Sequence, residues 1–142
     1  MTQQVGVITL GINDLQRSKK FYVEGFDWDI LYEDKDTAMY QMNGFVLSTW
    51  LQTELEKEIT VKGLSRSAAF TLGHNVGSPD EVQIYLDRLI KYGGKILRSA
   101  NSPAHGGISG YITDPDNHIW EIIYNPAWKV DNLGHVTFSP PN

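Results

Sequence analysis

Cysteine is absent from this 142-residue chain, which excludes disulfides, thiolate metal sites and a thiol nucleophile. No apolar run approaches membrane-spanning length, and the N-terminus MTQQVGVITL lacks the basic leader and apolar core of an export signal. Basic residues are in the minority. The 12 Lys and Arg face 17 Asp and Glu, and a net charge of −5 argues against a basic nucleic-acid-binding surface. These absences lead us to expect a soluble, cytoplasmic protein with neither nucleic acid nor membrane as partner. A neutral or cationic small ligand fits the same acidic balance. The acids are densest at Asp27, Asp29, Glu33, Asp34 and Asp36, which read as a solvated hairpin. With 41% hydrophobic and 20% charged residues the composition is that of a globular protein, long enough for one well-cored domain or two small fused modules.

What is present repeats itself. ITLG at Ile8–Gly11 returns as FTLG at Phe70–Gly73, and each copy is followed by a helix signal. In the first, Asn13 or Asp14 caps a segment whose Leu15, Ser18, Phe21 and Tyr22 share one face. In the second, Ser78 is the cap, Pro79 the first helical residue and Glu81 the partner in a capping box. Val82, Leu86, Leu89 and Ile90 form its expected buried stripe, and Gly93-Gly94 ends it. Strand-like runs follow at Trp28–Tyr32, Thr37–Met42 and Phe45–Leu51, then at Lys95–Ser99, Ile108–Thr113 and His118–Tyr124. Each half therefore reads βαβββ.

The expected fold class is α+β. Two fused βαβββ modules, at 4–51 and 67–125, form a curved, mostly antiparallel eight-stranded sheet around a cavity, with helices outside. A linker, 52–66, joins the modules into one domain, and a tail, 126–142, follows them. The tail, with its short HVTF run, is expected to cross the surface or to pair with a sheet edge, its own or a second subunit's, and Trp128 to cap the cavity mouth or pack on the sheet edge. Strand alternation assigns Val7, Thr9, Gly11, Ala69, Thr71 and Gly73 to the concave face, where small residues leave room for a ligand.

The last strand poses a chemical question, because Glu121 enters it between apolar neighbours on both faces. The βαβββ–βαβββ order, the phrase DLQRSKKFY and the run GYITDPDNHIWEIIYNP together resemble the vicinal oxygen chelate superfamily. That group contains glyoxalase I, bleomycin-resistance proteins and extradiol dioxygenases. The likeness spans roughly Val5 to Trp128 and is nearest to a glyoxalase-like bacterial branch of undefined activity.

In metal-dependent members the ligands come from the first and last strands of each half, which implies a ligand role for the position of Glu121. The matching positions here are Val7, Ser48 and Ala69, so one usable ligand stands where about three are ordinarily needed. The resemblance thus implies a vestigial site, and no cofactor is expected; a divalent metal is the alternative. His74, His118 and His135 read as structural or surface histidines. His105, in the loop PAHGG, is kept as a lid or acid/base group.

Three roles are open for Glu121: a structural relic bonded to Thr9, Ser48 or Thr71, an anchor for a ligand, or a catalytic general base. Thr9, Ser48, Trp50, Thr71, Tyr111 and Glu121 form the expected ligand-binding set. Trp28 and Trp120 are assigned to the core. The reading that follows is a metal-independent family member binding a small organic molecule, with a homodimer expected. Its rivals are a metal-dependent glyoxalase-like lyase or dioxygenase, and a non-catalytic dimeric interaction module.

Overall fold

Asp14 starts the first helix by accepting the Arg17 backbone N–H at 2.9 Å, which satisfies one of the amides a helix start leaves free. The computed structural model, which describes residues 1–3, 5–65, 70–102 and 106–139, carries this helix as α1 (Leu15–Lys19) and widens it into a π-helical stretch, Lys20–Gly25. Leu15, Ser18, Phe21 and Tyr22 are its buried face, as the spacing requires. Strand β1 (Val7–Ile12) precedes it, and β2 (Tyr32–Glu33), β3 (Thr37–Gln41) and β4 (Val46–Leu51) follow. The acidic run that includes Asp27 and Asp29 shortens β2 to two residues, because Asp27 takes a left-handed φ of 62° and turns the chain.

The expected linker folds further than anticipated. Gln52–Ile59 forms α2, which ends where Thr60 takes a left-handed φ of 57°. The second module then repeats the first, with β5 (Leu72–Asn75), α3 (Pro79–Lys91), β6 (Lys95–Asn101), β7 (Ile108–Thr113) and β8 (Ile119–Tyr124). Glu81 accepts the Ser78 backbone N–H at 3.0 Å, the expected capping box. Val82, Leu86 and Leu89 are buried, but Ile90 is exposed, since it lies a helical step to the side of that stripe. The HVTF run pairs within the tail: β10 (Val136–Phe138) lies antiparallel to β9 (Trp128–Val130), and Trp128 meets Phe138 at 4.6 Å.

Both modules share one strand order, β1-β4-β3-β2 and β5-β8-β7-β6, with one parallel pairing in each. The eight strands thus form two four-stranded mixed sheets. They are not hydrogen-bonded into one continuous sheet, because a shared core joins the modules through their helix-covered faces. Leu10, Ile12, Phe21 and Tyr22 of the first module belong to the same cluster as Leu86, Leu89, Trp120 and Ile122 of the second. Tyr22, Phe26 and Trp28 all contact the Trp120 ring. The opposite sheet faces are left partly open: Val7 is 55% exposed, and Gly73 is exposed too.

Candidate functional site

The turn Asp114-Pro115-Asp116-Asn117 works as a clasp between the modules. Asp114 is buried, and its Oδ1 accepts the backbone N–H groups of Asp116 and His118 at 2.9 Å each. Its other oxygen accepts the Tyr22 hydroxyl at 2.6 Å. Burial pushes the Asp114 carboxyl above the usual carboxylate range, against the opposing pull of His118 and the Tyr22 hydroxyl. Burial and the neighbouring Asp114 also raise the Tyr22 phenol, so it serves as a donor. Asp116 reaches the first module, accepting the Asn13 backbone N–H and an Arg17 N–H at 2.9 Å each. His118 crosses as well, its Nε2 donating to the Gly11 carbonyl at 2.7 Å. His118 is thus a structural histidine.

Beyond the clasp, strand register brings four residues into one row across the second sheet. Gly73 lies beside Glu121, Glu121 beside Tyr111, and Tyr111 beside Arg98. Burial raises the Tyr111 phenol, and hydrogen bonding and charge from Glu121 raise it further. Arg98 stands 5.0 Å over the Tyr111 ring and donates to the Ser109 hydroxyl at 2.7 Å. At Gly73, no atom lies within 4 Å of where a Cβ would be, so one flank of Glu121 is clear. Sequence reasoning named Glu121 and Tyr111 of this row and did not name Arg98. The available signal was alternation along Lys95–Ser99, but β6 carries register shifts on both sides of Arg98 that break that pattern.

The remaining predicted residues are placed elsewhere. Thr9 pairs with Ser48, and Trp50 with Gly11, on the first sheet. Ser48 is buried with its hydroxyl 3.3 Å from that of Thr37. Thr71 is exposed and precedes β5. The expected hydroxyl partners of Glu121 are therefore not what it meets; Tyr111 is its neighbour, because Thr9 and Ser48 belong to the other sheet. Ala69 and His105 lie outside the described residues. Val7 supplies no donor atom, and among the described residues no group of three or more His, Cys, Asp or Glu is placed to hold a metal ion. Among the described residues, the expected quartet offers only Glu121 and the Ser48 hydroxyl as side-chain donors, fewer than a metal centre of ordinary coordination uses.

A second feature lies on the other side of the second sheet. A cleft of about 680 Å³ opens between the modules, lined by Trp28, His74, Trp120 and part of the tail. None of Thr9, Ser48, Trp50, Thr71, Tyr111 or Glu121 lines it. Trp120 and Glu121 are adjacent on β8 and so point to opposite faces. Burial lowers the His74 imidazole below its ordinary value, against a smaller opposing pull from Glu81.

These features can be set beside known proteins. Residues 4–122 match the model of the Glyoxalase/Bleomycin resistance protein/Dioxygenase superfamily. A metallothiol transferase FosB from Lysinibacillus sphaericus is 30% identical over 123 residues, which cover 84% of this chain and 81% of that protein. A second FosB, from Staphylococcus saprophyticus, is 27% identical over 125 residues, covering 86% and 77% respectively. The crystal structure of a glyoxalase-related enzyme from Fulvimarina pelagi superposes with a TM-score of 0.95 at 48% identity, covering 98% of this chain and all of that one. A Burkholderia phytofirmans member of the family shares the fold at 11% identity, with a TM-score of 0.77 over 84% of this chain and 96% of the other. Duplicated topology, the signature turn and a family match across both modules lead to one assignment: the chain belongs to the Glyoxalase/Bleomycin resistance protein/Dioxygenase superfamily.

Proposed function

We propose that this protein binds a small organic molecule on the open face of its second sheet, at Glu121, without a catalytic divalent metal. The row Gly73–Glu121–Tyr111–Arg98 carries this reading. It offers a carboxylate acceptor, a phenol and a guanidinium side by side, next to a flank that a glycine leaves clear. Such a row can orient a ligand that has both donors and acceptors, and it contains no second carboxylate or imidazole to complete a metal site. Glu121 is the anchor and, should the ligand be turned over, the group placed to take a proton from it.

The similarity to metallothiol transferases favours one rival, metal-dependent chemistry at the same face. Elemental analysis of protein purified without chelator separates the two. Our reading expects no stoichiometric divalent metal, and one equivalent lost in Glu121→Gln would overturn it. A small-molecule screen by thermal shift tests the site itself. A ligand at a hundred times its Kd stabilises the protein by about 2.7 kcal/mol. That gain is expected to shrink severalfold in Glu121→Gln, and an undiminished gain removes Glu121 from the site.

We further propose a homodimer. Val5, Val7 and Phe70 are 61%, 55% and 51% exposed, and they lie on or beside β1 and β5, which are edge strands. Apolar edges of this kind are stable in water when another chain covers them. A second copy seated there covers the open sheet faces as well.

A further inference from the structure

The cleft between the modules has a volume, about 680 Å³, that suits an organic molecule of several rings. Its inner wall is aromatic. Trp28 stacks on Phe26 at 4.4 Å and meets Trp120 edge-on at 5.6 Å. His74 lines the cleft as well and stacks on Tyr85 at 5.3 Å.

Charge around this cleft is one-sided. Asp27 and Asp29 line it, and neither Lys nor Arg does. Asp27 is held at its left-handed φ of 62°, and its ion-pair partner Arg88, at 3.9 Å, also donates to the Glu24 carbonyl at 3.0 Å. The tail closes part of the mouth with Val130, Leu133 and Val136. Asn43 donates to the Gly134 carbonyl and so ties the tail hairpin to the β3–β4 turn.

We propose that this cleft is a second binding site, which takes a planar aromatic cation against the half-buried Trp28, with its charge at Asp27 and Asp29 and the core ring of Trp120 as backing. The face of Trp28 turned from Phe26 supplies a negative quadrupole and an apolar surface, which favour a flat cation over a flat neutral molecule. Asp29, and Asp27 with only a long 3.9 Å ion pair to Arg88 outside the lining, repel an anion of the same shape. The site goes beyond the Glu121 reading: Gly73 borders both, but Glu121 itself does not line the cleft.

Three dyes of one shape test this at neutral pH: cationic proflavine, neutral acridine and anionic acridine-9-carboxylate. Titration of the full chain is followed by quenching of indole fluorescence and by calorimetry. Proflavine is expected to bind saturably and at least about tenfold more tightly than acridine, while the carboxylate fails to bind. The double variant Asp27→Asn/Asp29→Asn is expected to weaken proflavine by about tenfold and leave acridine unchanged. Both side chains are solvent-facing, and Asn tolerates the left-handed backbone at position 27, so the fold is kept. Glu121→Gln is expected to leave proflavine affinity as it was. Three results overturn the proposal: no saturable proflavine binding, undiminished affinity in the double variant, or loss of binding in Glu121→Gln. The last places the dye on the Glu121 face and leaves the proposed function standing.

Discussion

Glu121 is a carboxylate on an otherwise apolar strand, and its surroundings explain how it is tolerated. It is half-buried beside the Tyr111 phenol, and Gly73 leaves its other flank open to water or ligand. His74 is the contrasting case on the opposite face, held uncharged by burial among Phe26, Trp28 and Tyr85. Because its folded value lies below the unfolded one of about 6.5, the unfolded chain binds the extra proton first as pH falls. Its contribution to stability is therefore complete above about pH 6.5 and is lost as pH drops below that value toward the folded one. Urea midpoints measured between about pH 5 and 7.5 are expected to fall more steeply with acid in the native chain than in His74→Gln. Parallel pH profiles for the two would remove His74 as the cause. Alternation gave His74 the parity of Phe70 and Leu72, facing the helix or the rim, and that side of β5 is the one that meets the aromatic core. That the same side opens into a cleft was not legible, because the opening depends on where the first module's Trp28 arrives.

At the level of elements, the signature DPDNH is a turn with three jobs: it closes on itself through Asp114, grips α1 through Asp116 and reaches β1 through His118. Asp116→Ala deletes the acceptor for two part-buried hydrogen bonds, one of them from a guanidinium. A loss of about 1–3 kcal/mol is expected in denaturant titration, with the melting cooperativity preserved. A change under about 0.5 kcal/mol would mean that water replaces those bonds without cost. The duplication was legible because each module carries its own cap, helix and strands, and those signals are local. Ile108–Thr113 formed a strand with the expected bounds. α2 was harder to read, as its mixed Glu, Lys and Thr composition has no buried stripe and none of its residues is buried. Arg98 escaped notice for the related reason that register shifts in β6 depend on its partner strand.

For the whole molecule, two sheets meeting through their helical faces leave the opposite faces for other uses. A homodimer sealed at β1 and β5 makes a sharp prediction for Val7→Lys. Sedimentation at micromolar concentration is expected to show the native chain as a dimer and the variant shifted to monomer, since a buried, unpaired ammonium costs several kcal/mol. Monomeric native protein would sink the dimer and leave the edge strands bare. Among the described residues no helix is long and apolar enough to cross a membrane. The arrangement of modules was not legible, because strand alternation specifies two faces per sheet but not which face meets its neighbour.

The parallel pairing of each module's first strand with its last has a consequence for how the chain is made. β1 finds its hydrogen-bonding partner only in β4, and β5 only in β8. On the ribosome, the first sheet is complete once Leu51 has emerged, long before the second module exists. From then until Trp120 leaves the exit tunnel, Tyr22, Phe26 and Trp28 wait without the ring that finally covers them. Until Trp120 arrives, those three rings form an uncovered aromatic patch on the first module, the kind of transient apolar surface on which misassembly begins.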